Sequence, residues 1–348
     1  MKWSGILNSV TYNQTTEPTG VTAGETWLNV DILYMRNRTN TGWVAMTTME
    51  FSPLGHGYLC GGYSSNIDRI TFASDSGTAI LAGSLTQSTY GSIGFNSTQH
   101  GFICGNLSNI ERMIFPMSSG TSSIVGNLSQ SVSDGSGFNS SKYGYVCGGG
   151  LEDIPYSFIE RLTFPFNSGT ATSVGSMTQS IAQTVGFNSS DHGYINGGYS
   201  YGLAYLRSIE RISFPFDYLS VGSLVGEISL SKCQIAGFNS SLNGYLCGGN
   251  IDPGFNDLSI ERIIFPFNSG TTLVVGTLNN SVQLSMGVNS SNYGYNMGGH
   301  IDDGTNISNV ERIVFPFDSG TAFMVGNLTR SVYRGLGIDD TDFVSMFI

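Results

Sequence analysis

The chain has 348 residues, 40% of them hydrophobic and 11% charged, with a net charge of −11. That apolar share is too high for a disordered chain, and three lysines in all leave no cationic cluster of the kind nucleic acid or an anionic membrane requires. No apolar run reaches the ~20 residues that span a bilayer, and the first residues lack a signal-peptide core, so the expectation is a protein made in a cytoplasm, without membrane insertion.

In chain order, residues 1–47 stand apart, because they hold all three tryptophans, Trp3, Trp27 and Trp43. Residues 48–348 repeat themselves. A Gly-aromatic doublet recurs at Gly57, Gly101, Gly144, Gly193, Gly244 and Gly294, at intervals of 44, 43, 49, 51 and 50 residues. Each repeat has four short stretches rich in Ile, Val, Phe and Tyr, divided by Asn-Ser-Gly, Asn-Ser-Ser and Gly-Gly clusters that serve as turns. In the fifth copy these are 244–249, 260–265, 271–278 and 282–288. Four strands per unit at this period predict an all-β fold, a β-propeller of four-stranded blades.

Closure is predicted from the ends. Residues 49–56 align without a gap on 185–192, which makes the N-terminal side the source of the innermost strand of the first full blade. Residues 332–338 read as a further first strand and 343–348 as a second. Two more strands from Ile32–Arg36 and 42–46 would complete a seven-bladed ring sealed by both termini, with no exposed sheet edge. The alternative is six blades plus a small N-terminal β module.

One pair recurs in every copy: Asp68-Arg69, Glu111-Arg112, Glu160-Arg161, Glu210-Arg211, Glu261-Arg262 and Glu311-Arg312. A residue pair present in every blade serves what every blade shares, so these are expected to join blades, the Arg fork satisfying neighbouring carboxylates and carbonyls, rather than to ring an anionic ligand. Cys60, Cys104, Cys147 and Cys247 share one slot in the repeat and are expected to be small buried thiols.

Asymmetric sites need asymmetric residues. Insertions collect between the second and third strands of the last four repeats, and in an up-and-down blade those loops emerge on the face that also carries the crossing to the next blade. They hold Asp153, Tyr156, Tyr199, Tyr201, Tyr205, Asp252, Phe255, Asp257, His300, Asp302 and Asp303. Aromatic rings for stacking and acids for hydroxyl groups make this the candidate binding surface. His56, His100 and His192 occupy one repeat position in separate blades, and Asp252-Pro253-Gly254 and Asp302-Asp303-Gly304 carry too few oxygen ligands for a full calcium loop. No metal and no cofactor are therefore expected. Glu152, Asp153, Asp252, Asp257, Asp302 and Asp303 fall into no recognisable catalytic pairing, and no Gly-x-Ser-x-Gly elbow is present. The chain is expected not to be an enzyme.

The wording Phe164-Pro165-Phe166-Asn167-Ser168-Gly169-Thr170-Ala171, running into Val174-Gly175-Ser176-Met177-Thr178-Gln179-Ser180, resembles kelch-like repeats of tailed-bacteriophage virion proteins, notably cyanophage tail proteins, over roughly residues 44–340. Thr19-Gly20-Val21-Thr22-Ala23-Gly24-Glu25-Thr26-Trp27, with Leu33-Tyr34-Met35-Arg36-Asn37 and Gly42-Trp43-Val44, is similar to a short module of phage fibre and tail proteins. The repeats depart from eukaryotic kelch units in lacking their fourth-strand Trp. The resemblance implies a tail-associated virion protein whose partners are other tail or capsid proteins, and which adsorbs to a host-surface glycan or protein. Decoration or assembly scaffolding without receptor binding is the alternative it leaves, with glycan hydrolysis third.

Overall fold

A computed structural model describes residues 55–341 apart from 73–76, 106, 152–153, 203–204 and 252–253, together with the backbone of four short strands before residue 46. Two compact units divide at Leu54 and Gly55, a few residues past the expected boundary at 47 and 48. In the N-terminal unit Tyr12–Asn13, Thr26–Asn29, Ile32–Arg36 and Trp43–Ala45 form one four-stranded sheet in that order. Its first pair is parallel and the others antiparallel.

The second unit is a six-bladed β-propeller. The second to sixth blades begin with Ile93–Asn96, Ser136–Asn139, Val185–Asn188, Ala236–Asn239 and Met286–Asn289, each pairing with the strand that follows it. The first blade is built from Gly335–Asp339, His56–Gly61, Ser64–Thr71 and Ile80–Thr89. Its inner strand comes from the C-terminal side, with Asp339 opposite Gly57 in antiparallel register.

That pairing corrects the seven-bladed expectation. Residues 332–338 lead into the missing strand of the first blade instead of opening a seventh, and the edge of His56–Gly61 reserved for 49–56 is filled by Gly335–Asp339. Ile32–Arg36 and Trp43–Ala45 pair in their own sheet and do not close the ring. The arrangement is the alternative of six blades with an N-terminal β module. Residues 343–348 lie outside the described residues.

The repeated doublet is explained by contacts between blades. At Gly144, Gly193, Gly244 and Gly294 an added Cβ would lie 2.1–2.2 Å from the ring of Phe95, Phe138, Phe187 or Phe238 in the preceding blade, so only glycine admits that ring. The aromatic partner faces the other way. Tyr58, Tyr145, Tyr194 and Tyr245 accept backbone N–H bonds at 3.0–3.2 Å from Met117, Phe216, Phe267 and Phe317 of the next blade, and they stack on Phe115, Phe214, Phe265 and Phe315.

The acid-Arg pair works in the same two directions. Glu111 accepts from the N–H and hydroxyl of Thr86 in the preceding blade at 2.9 and 2.7 Å, and Glu210 likewise from Thr178 at 2.8 and 2.7 Å. Asp68 accepts from the Thr329 hydroxyl of the preceding blade, and Glu160, Glu261 and Glu311 accept from the backbone N–H of Ser129, Ser229 and Asn279. The adjacent Arg69, Arg112, Arg161, Arg211 and Arg262 donate forward to the carbonyls of Met117, Phe166, Phe216, Phe267 and Phe317 at 3.0–3.2 Å. Arg312 lies over the Tyr293 ring, 4.6 Å from its centre. The first five pairs thus tie their blades to both neighbours. Burial raises the carboxyl groups of Glu160, Glu210 and Glu311.

All five cysteines are buried, and none forms a disulfide. Outer strand edges are covered by the next blade, as where Ser123–Asn127 pairs in parallel with Gly169–Thr170. This removes the open edges that invite aggregation.

Candidate binding face and groove

Long loops rise from blades three to six at 148–157, 197–207, 248–258 and 298–308, whereas in the first two blades the third strand starts almost directly after the second, Ser64–Thr71 after His56–Gly61 and Leu107–Ile114 after His100–Gly105. Each is fastened to the crossing segment that enters its own blade, through Ser133 with Gly150, Ala182 with Tyr199, Cys233 with Asn250, and Val282–Gln283 with His300–Ile301. Each then folds back on itself, Gly150–Leu151 on Ile154–Pro155, Tyr199 on Tyr205, Asn250 on Asn256, and His300 on Asn306. The insertions are therefore four hairpins standing on one side of one face.

Between the hairpins of blades four to six lies an open groove of about 590 Å³. Its walls are Tyr205, Asn250, Gly254, His300, Gly304 and Asn306, and the crossings supply Gln234, Gln283, Leu284 and Tyr333. Asn306 Oδ1 lies 2.8 Å from His300 Nδ1. Asn250 is held through Asn256, whose amide donates to the His300 carbonyl at 3.0 Å. Tyr333 extends the groove into an aromatic stack: Tyr63 lies 5.2 Å from it and 4.8 Å from Tyr90, ring centre to ring centre, and Tyr63 is 49% exposed.

The groove opens onto the axial mouth through Gln234 and Leu284, which line both. Six residues circle that mouth, one from each crossing: Gly91, Asp134, Gln183, Gln234, Leu284 and Arg334, all left-handed with φ between 53° and 58°. Each donates its N–H to the carbonyl of the preceding one at 2.6–3.0 Å, and Gly91 closes the cycle on Arg334 at 2.9 Å. A left-handed backbone at a residue with a side chain costs roughly 1–2 kcal/mol. The closed hydrogen-bond cycle holds it in place. Above it Arg334 grips Asp134, and Gln234 donates to Gln183 at 2.9 Å. At the opposite end of the axis the ring is Asn96, Asn139, Asn188, Asn239, Asn289 and Asp339.

Of the residues singled out from the sequence, Tyr205 and His300 line the groove. Tyr201 and Phe255 are exposed on the hairpins at 83% and 65%, and Asp302 and Asp303 are also exposed. Asp302 accepts the Asn256 N–H at 2.8 Å and Asp303 that of Thr305 at 2.8 Å. Asp153 and Asp252, with Glu152, lie outside the described residues. Three assignments are corrected. Tyr199 is buried in its hairpin, and Tyr156 packs on Phe158 against the core. Asp257 is a buried partner of Lys232 at 2.7 Å.

Sequence reasoning missed Gln234, Gln283, Tyr333, Tyr63 and Tyr90 because they lie outside the inserted loops, in segments whose length does not set them apart. The signal was present in the crossings, where the left-handed slot reads Gly, Asp, Gln, Gln, Leu and Arg in successive repeats while its surroundings recur. Among the described residues no group of three or more His, Cys, Asp or Glu converges to hold a metal ion.

Fold and groove define the class: a six-bladed β-propeller with an asymmetric face of four hairpins. No family model matches the chain, and no curated protein does. Among solved structures it is similar to YjhT, with a TM-score of 0.60 and 11% identity over 71% of this chain and 86% of that one. At that identity the likeness establishes the fold alone. It also corrects one expectation: the propeller shared with YjhT does not set binders apart from catalysts, since one fold hosts unrelated functions, so the reading of the chain as non-enzymatic is withdrawn.

Proposed function

We propose that this chain is a tail-associated virion protein of a tailed bacteriophage whose hairpin-bearing face adsorbs to the host surface. The observation that carries the reading is the asymmetry of that face. Packing residues repeat in every blade, whereas the four hairpins and the tyrosines and amides beside them occur on part of the ring only. Binding and catalytic residues concentrate on such loops, positioned by a rigid scaffold. The phage-like wording of the kelch-like repeats and of the N-terminal segment supplies the setting, and the N-terminal unit is assigned to attachment on other virion proteins.

The test is adsorption. Purified full-length chain, incubated with host cells beforehand, should slow adsorption of the phage that carries it, and particle proteomics should find the chain in purified virions. Presence in virions without any effect on adsorption would make it a decoration or assembly protein. Release of reducing sugar from host envelope in the same assay would make the groove a catalytic site.

A further inference from the structure

We infer that the groove between the hairpins of blades four to six takes an uncharged, polyhydroxylated glycan, with Tyr333 as its stacking platform. This rests on the adsorption reading and narrows it to one class of ligand. Three observations converge on it.

The first is charge. None of the described side chains that line the groove is a carboxylate, Lys or Arg. The neighbouring ions are already engaged: Arg334 on Asp134, Asp257 on Lys232 and Asp302 on the Asn256 N–H. An ionic ligand would meet no counter-charge among the described side chains that line the groove, and the chain's net charge of −11 would repel a polyanion.

The second is the supply of hydrogen-bonding groups. Gln234, Gln283, Asn250 and Asn306 carry amides, which offer donors and acceptors together and so match sugar hydroxyls, themselves both. In the tautomer in which Asn306 Oδ1 accepts the His300 Nδ1 proton, Nε2 remains an acceptor.

The third is aromatic surface. Tyr333 belongs both to the groove and to the stack with Tyr63 and Tyr90. Flat rings contiguous with a polar trough suit a ligand with one apolar C–H face and a polar perimeter, because a ring can bury area while its polar tip stays wet. A protein segment would more often be held by backbone pairing to a sheet edge or by apolar pockets, and the outer edges here are covered by the neighbouring blades.

The experiment uses polysaccharide stripped from host cells and separated by anion exchange into uncharged and acidic fractions. Binding of each to the full-length chain is measured by calorimetry at low salt and at high salt. The uncharged fraction should bind, with affinity unchanged by salt that screens charge. Tyr333→Ala and Gln283→Ala should each weaken it about tenfold or more with an unaltered melting temperature, while Tyr218→Ser, an exposed change in a turn of the opposite face, should not. Should either groove variant melt early, Tyr205→Ser gives the same readout. Binding of the acidic fraction, or of the uncharged fraction without loss in the groove variants, overturns the inference. Adsorption to whole cells that protease treatment abolishes, with neither fraction bound, overturns it and leaves the adsorption reading standing. Failure to adsorb to cells at all overturns both.

Discussion

Arg334 and Asp134, 200 residues apart in the chain, meet across the axial mouth with guanidinium nitrogens 3.1 and 2.5 Å from the two carboxylate oxygens. Arg334 belongs to the crossing that precedes the closing strand Gly335–Asp339, so the pair ties the last segment of the ring to the crossing between blades two and three. Asp134 and the Tyr63 hydroxyl hold the guanidinium even more firmly protonated than usual, although burial opposes this.

Arg334 is also one of the left-handed residues of the mouth, which separates two effects. Arg334→Ala loses the bidentate pair and keeps the unfavourable backbone, whereas Arg334→Gly loses the pair and relieves the backbone. The Ala variant should lose about 1–3 kcal/mol, and the Gly variant should be more stable than the Ala variant by about 1 kcal/mol. Urea unfolding of the two decides it. Equal midpoints would show that the hydrogen-bond cycle imposes no backbone cost.

The acid-Arg pairs should act on stability alone. Arg262 donates to the Phe317 carbonyl at 3.2 Å and to Asp318 in the next blade. Arg262→Ala leaves that carbonyl without the guanidinium, at a cost of about 1–3 kcal/mol. Its binding isotherm should match that of the unaltered chain. A variant that melts normally yet no longer binds host material would return the pairs to ligand recognition.

How much of this was legible depends on what repeats. The doublet Gly244-Tyr245 and the pair Glu261-Arg262 recur because the interfaces between blades share a glycine set against a side chain of the preceding blade, an aromatic ring, a carboxylate and a guanidinium, so periodicity exposed them. Blade number was not legible in the same way. The sequences of 49–56 and 335–339 are both compatible with the one vacant inner edge, and only pairing of Asp339 with Gly57 settles which takes it. The groove was half legible. Tyr205 and His300 sit on insertions that stand out by length, but Gln234, Gln283 and Tyr333 occupy crossings of ordinary length. Tyr199 and Asp257 misled because the hairpin's own bridges and the buried Lys232 have first claim on them.

Lys232 is fully buried between Asp257 at 2.7 Å and Glu261 at 2.6 Å. Burial alone would raise both carboxyls, but the ammonium overcomes it and holds them below their usual values, while the two carboxylates raise the lysine. Acids with depressed folded values contribute stability above the ordinary carboxylate range, and that contribution is lost as pH falls through the lowered values. Lys232→Met leaves two buried carboxylates without a cation, a change expected to cost about 3–5 kcal/mol near neutrality. Because those carboxylates would then be raised, the variant should regain stability on acidification, and the gap between the two melting curves should narrow from pH 7 toward pH 3. A constant gap across that range would mean the lysine serves packing and not charge.

Asp339 gives the opposite dependence. It occupies the ring position that is Asn in the other five blades, and burial pushes its carboxyl up to about 7 against bonds from Thr341 and from the Asn289 N–H, the latter at 3.2 Å. An acid raised in the fold binds its proton more tightly there than in the unfolded chain, so its contribution to stability is full below the ordinary carboxylate range and falls as pH rises toward 7. A shift of this size corresponds to about 4 kcal/mol at most. Asp339→Asn restores the residue that the other blades use and has no proton to lose. It should match the unaltered chain near pH 4, melt higher at pH 8, and flatten the decline between them, as measured by calorimetric melting across that range. If the Asn variant instead melts lower at both ends, the ionised carboxylate is an essential acceptor for Thr341 and Asn289 rather than a buried charge that the ring tolerates.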